Sequence, residues 1–184
     1  MSRNKKANSK GPEVMGFLEE QIVNKVKKQI SNQDDPGVKA IRDKYGEEGL
    51  LEYLVGSDLD PRPGQTNVLG PQVAKKYYER SASKGHPMGQ FALSLVYLQG
   101  THQTDKDYEI GSNLMKSSAK QGFGPALYNR ARWLIDGTMG CKKDPSKAYR
   151  MLGKAKKVRP NDASLSNSTL TTNCPQKIIT QMLF

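Results

Sequence analysis

The sequence predicts an all-α protein: a short solenoid of about two and a half antiparallel helix hairpins with disordered polar tails. Two observations carry this. The first is an internal echo: Gly85 and Gly122, Phe91 and Tyr128, Gly100 and Gly137, Thr101 and Thr138, and Asp107 and Asp144 each stand 37 residues apart. A helical unit of that length cannot bury its own apolar face and does so by stacking on its neighbours. The second is apolar residues at helical spacing between glycines.

Residues 1–11 are polar and basic and read as a disordered arm. An amphipathic helix is expected over 12–33. Pro12 suits its first turn, and Val14, Leu18, Ile22, Val26 and Ile30 form one stripe in steps of four. That stripe is read as a cap over the first hairpin, with a separate partner helix or a membrane surface as its other possible occupants. Residues 38–56 make a degenerate first helical segment, interrupted at Gly46 and Gly49. A Pro- and Gly-rich loop follows to Pro71.

The helical pattern then holds over 72–157. In the first full unit, Phe91 to Leu98 is apolar and Gly100 ends the helix, as glycine does by accepting the left-handed conformation. Asp107 is placed to cap the next helix, which carries Ile110, Leu114, Met115 and Ala119. The second unit repeats the plan, with Gly137 as the stop and Asp144-Pro145 as the cap and first turn. Small residues at Ala74, Gly111 and Ala148 predict close helix approach, and Tyr77, Leu114 and Met151 predict filling between hairpins. Residues 158–184 read as a polar tail, closed by the apolar Ile178, Ile179, Met182, Leu183 and Phe184.

The segment from Gly85-His86-Pro87 to Gly100, then from Asp107-Tyr108-Glu109 to Ser118-Ala119-Lys120-Gln121-Gly122, resembles the Sel-1-like repeat, a short-looped relative of the tetratricopeptide repeat. The resemblance covers about residues 72–157. It implies a right-handed superhelix of helix pairs that binds proteins on its concave side, mostly in adaptors and scaffolds. The disulfide-rich members suggested to be enzymes are not matched by a chain with two cysteines, Cys141 and Cys174. Two departures mark the last unit: Arg130 stands where leucine is preferred, and Lys156 where a small residue is expected.

No catalytic constellation is expected, and neither a cofactor nor a metal. The sequence holds no GxSxG, Walker-type or HExxH motif. His86 is read as packing or capping at a repeat boundary and His102 as solvated in a turn. Asp105, Asp107 and Glu109 read as capping acids, because the glycine and ligand run of an EF-hand loop is missing. Trp133 and Tyr97 read as core. A protein partner is expected on first-helix positions that share one stripe by helical spacing: Ala92, Leu95 and Gln99, with Asn129, Arg132 and Asp136 as counterparts.

Net charge is +11 and mean hydropathy -0.72. The basic excess gathers at residues 1–10 and 142–159, the latter with Lys142, Lys143, Lys147, Arg150, Lys154 and Lys157. Such a patch meets an acidic protein or solvent, or alternatively nucleic acid, although the aromatics that interleave with cations in a nucleic-acid site are represented by Tyr149 alone. The expected function is therefore a non-enzymatic adaptor. Two unpaired thiols and the lack of an apolar leader or membrane span point to the cytoplasm, with the nucleus and the mitochondrion as alternatives. Oligomeric state is not legible.

Overall fold

The computed structural model describes residues 11–32, 35–60 and 70–158, with side chains described over 16–155 of these. The expected arm over residues 1–10, most of the Pro- and Gly-rich loop and the tail beyond 158, with Cys174, lie outside the described residues. Among the described residues there are eight helices and no strand: α1 Gly11–Ser31, α2 Pro36–Tyr45, α3 Leu50–Leu59, α4 Gly70–Ser83, α5 Pro87–Gln99, α6 Tyr108–Lys120, α7 Gly124–Asp136 and α8 Pro145–Val158. The closest pairings are α3 with α4, α5 with α6 and α7 with α8, and α4–α5 and α6–α7 packing joins one hairpin to the next. The result is an all-α solenoid.

Local chemistry sets the helix limits. Asp35 accepts from the Gly37 and Val38 N–H groups at 2.9 and 3.1 Å, with Pro36 in the first turn of α2. Asp107 and Asp144 accept from Ile110 and Lys147 N–H at 2.9 and 2.8 Å. Gly100 and Gly137 end α5 and α7 at φ 66° and 71°, where a side chain would be strained and where the stem of Lys106 or Lys143 already fills the space of a Cβ.

The 38–56 segment, read as a degenerate helical piece interrupted at Gly46 and Gly49, forms two helices, and the second, α3, pairs with α4 as the first of three stacked hairpins. Gly49, His86 and Phe123 precede α3, α5 and α7 as their N-cap residues, each 37 positions from the last. Buried serines tie the hairpins shut at this edge. The Ser81 hydroxyl donates to the Gly49 carbonyl and the Ser118 hydroxyl to that of Pro87, both at 2.7 Å. Ser118→Ala is expected to cost about 1 kcal/mol in urea denaturation, the usual net worth of one such bond. Ser83→Ala, whose exposed hydroxyl bonds only within its own helix turn, is the comparison and should cost far less.

The same edge carries an aromatic cluster. Tyr45, at the end of α2, meets His86 and Phe123 edge-on with ring centroids 6.4 and 6.0 Å away, so α2 bridges two hairpin junctions. Tyr53 stacks on His86 at 6.3 Å, and Phe91 meets Phe123 at 5.3 Å. His86 thus packs as its boundary position implied. His102, however, is not solvated: its side chain is 10% exposed. Its Nε2 lies 2.9 Å from Asp60, its Nδ1 2.9 Å from the Thr101 hydroxyl, and its ring against Tyr78. The left-handed backbone at His102 turns the ring back onto the first hairpin, which a polar turn in sequence does not announce. Trp133 is buried, whereas Tyr97 is half-buried beneath the Lys75 ammonium.

The long helix α1 packs on α3. Val26 and Ile30 enter the core, Lys25 pairs with Asp58 at 2.8 Å, and the Tyr77 hydroxyl of α4 donates to Glu19 at 2.7 Å. The Arg42 guanidinium of α2 donates to the Ile30 carbonyl at 2.6 Å and holds the end of α1 in place.

Candidate functional site

By helical spacing the first helix of each hairpin (α3, α5, α7) carries one corresponding stripe. On α5 this stripe is Ala92, Leu95 and Gln99, and on α7 it is Asn129, Arg132 and Asp136. Gln99 and Asp136 are exposed at the helix ends, while Ala92, Leu95, Asn129 and Arg132 are half-buried. Ala92 and Leu95 rest partly on the core, and Asn129 donates back to the Pro125 carbonyl at 2.9 Å, so these three are less free than spacing alone implied. Arg132 and Asp136 have no ion-pair partner among the described residues.

On α3 the matching positions are Val55 and Asp58, 37 residues before Ala92 and Leu95. Val55 is fully buried and Asp58 holds Lys25 of α1. On the first hairpin, then, the stripe runs from a buried residue to an exposed carboxylate that pairs with α1. Sequence reasoning did not name Asp58 or Lys25. The repeat offset marks Asp58, since it is the step before Leu95, but nothing marks its partner.

The basic residues cluster at the other end of the array. Lys142, Lys143 and Lys147 are exposed and, with Arg130, line an open cavity of about 470 Å³ bounded by Leu134, Gly140, Cys141, Asp144 and Pro145. Arg150 and Lys154 are exposed on α8, and the side chain of Lys157 lies outside the described residues. Arg130, flagged only as a departure from pattern, belongs to this group.

Helix pairs joined by short loops, stacked at a constant spacing and carrying no strand among the described residues, define an α-solenoid of helical hairpins. The Sel1 repeat model matches residues 64–86, 87–123 and 124–157, just over half of the chain, and the protein belongs to the Sel1 repeat family. The fold is similar to that in the crystal structure of a Sel1 repeat protein from Oxalobacter formigenes. That match has a TM-score of 0.52 and 20% identity, and covers 69% of this chain and 95% of the other. No curated protein matches the chain. Sel1 repeats are in general protein-interaction modules and typically non-enzymatic scaffolds. No helix of the described residues is long and apolar enough to cross a membrane.

Proposed function

We propose that this protein is a non-enzymatic adaptor that holds a helical segment of another protein along the stripe formed by Ala92, Leu95 and Gln99 of α5 and Asn129, Arg132 and Asp136 of α7. The observation that supports it most is the fate of the same stripe on α3. There Val55 is shut from solvent, and Asp58, exposed at the surface, is paired with Lys25 of α1, the helix that packs on α3. A face that accepts one amphipathic helix by apolar burial and a charge at its edge has the chemistry to accept a second on the neighbouring hairpins. On this reading α1 is the cap that a repeat array needs over its first hairpin, and it also sets where the partner starts.

Leu95 supplies the apolar contact, and Arg132 and Asp136 supply charges of both signs that fix the orientation of the bound segment. Affinity purification with the intact chain and with Arg132→Glu tests this. Recovery of the partner is expected to fall about tenfold, the loss of a central arginine contact. Unchanged recovery from a variant that melts like the parent contradicts the reading, and so does recovery dominated by RNA or DNA.

A further inference from the structure

The last two hairpins contain the same loop built twice with different side chains. After Gly100 and Gly137 the backbone is left-handed at His102 and Gln103 (φ 58° and 54°) and again at Met139 and Gly140 (φ 51° and 69°). Thr104 N–H donates to Thr101 and Cys141 N–H to Thr138, at 3.0 and 2.9 Å. Asp107 N–H donates to Tyr97 and Asp144 N–H to Leu134, at 3.0 and 2.9 Å. Both aspartates cap the following helix, and both Lys106 and Lys143 lay their stems over the preceding glycine. The fold therefore asks nothing different of the second copy.

Its side chains nevertheless differ in charge. Where the middle hairpin has Leu93, Asp105, Ile110, Asn113 and Ser117, the last has Arg130, Lys142, Lys147, Arg150 and Lys154, so that five positions holding one acid and no cation hold five cations one repeat later. No carboxylate of the described residues pairs with any of the five. The one carboxylate in the cavity wall, Asp144, is engaged in capping α8. In the middle hairpin His102 folds over its loop onto Asp60, whereas Met139 and Gly140 in the last leave the open cavity that Arg130, Lys142 and Lys147 line. Lys147, Arg150 and Lys154 share one face of α8 by helical spacing and continue the cationic strip away from that cavity.

We propose that this strip, from the α7–α8 loop along α8, is a docking site for an acidic segment of a protein partner, separate from the α5–α7 stripe and independent of what that stripe holds. The strip along α8 is about 10 Å long, from the helical rise per residue, and so matches three or four residues of an extended acidic chain. A nucleic acid would need flat aromatics among the cations, and the exposed Tyr149 projects from the other side of α8.

The test is fluorescence anisotropy of labelled octaglutamate titrated with the full chain, beside an oligothymidylate carrying the same number of phosphates. Lys142→Glu/Lys147→Glu is expected to weaken octaglutamate binding about tenfold. The equally charged control Lys76→Glu/Lys116→Glu, also at exposed lysines, is expected to change it by less than about twofold. Equal weakening by both pairs reduces the effect to net charge and overturns the proposal. No binding by the intact chain overturns it, as does tighter binding of the oligothymidylate. Thermal melts accompany both pairs, and if the glutamates lower Tm, Lys142→Ala/Lys147→Ala replaces them with the same outcomes.

Discussion

Between pH 6.5 and 4 the folded chain is expected to lose on the order of 3 kcal/mol of stability through one side chain, His86. The imidazole is 2% exposed, stacked on Tyr53 and edged by Tyr45, and neither ring nitrogen has a hydrogen-bond partner. Burial lowers its pKa from 6.5 to about 4, a shift that the nearby Glu52 carboxylate only partly opposes. The sign follows from which state takes up the proton first. The unfolded chain protonates His86 near 6.5 while the folded chain resists until about 4, so the stabilisation is complete above 6.5 and is lost as pH falls towards 4. Other carboxylates titrate at the low end of this window, so the measurement is a difference. Urea denaturation of the parent and of His86→Phe, which keeps a ring in the cluster without a titrating nitrogen, should diverge steadily below pH 6.5. A constant difference between the two curves contradicts the buried, neutral imidazole.

Gly89→Val is expected to destabilise the protein by about 3 kcal/mol, the sum of overpacking and a lost buried hydrogen bond, less a small gain in helix propensity. Gly89 lies in α5 where α4 crosses it. A Cβ there would fall 2.2 Å from the Ser81 hydroxyl oxygen, 2.5 Å from the Ser81 Cβ and 3.0 Å from the Ala82 backbone nitrogen. None of these is the loose end of a flexible chain, so the helices must part or Ser81 must release the Gly49 carbonyl. The milder Gly89→Ala, combined with Ser81→Gly, should recover part of the loss because it returns the space the new methyl takes. A Gly89→Val variant that melts with the parent would mean that α4 and α5 do not approach this closely.

The hairpins were legible because the chain repeats its punctuation. Gly100 and Gly137, and Asp107 and Asp144, mark the same stops and starts at the same offset, and each takes the conformation its residue type favours. The first hairpin was harder to see. Gly46 and Gly49 break the helical period, and at the N-cap position held later by His86 and Phe123 the chain has a glycine. Helical period also tells which residues share a face, but not which neighbour covers it. That is why α1 was read as a cap over the first hairpin without Lys25 and Asp58 being named as the pair that joins the two. Likewise Arg130 was visible as an anomaly, but its meaning depends on a loop that brings Lys142 and Lys147 beside it. His102 was misread for a related reason: the residue type says polar, and only the left-handed turn aims it at Asp60.

Site-specific photo-crosslinking tests the central claim, that the stripe of α5 and α7 is where a protein partner lies. A benzoylphenylalanine placed at Gln99 of α5 or at Arg132 of α7 is compared with one at Lys76, exposed on α4. One protein adduct is expected, shared by positions 99 and 132, absent at 76, and lost from position 99 when Arg132 is changed to Glu. Adducts of equal yield at all three positions, or none at 99 and 132 while the partner still co-purifies, would contradict it.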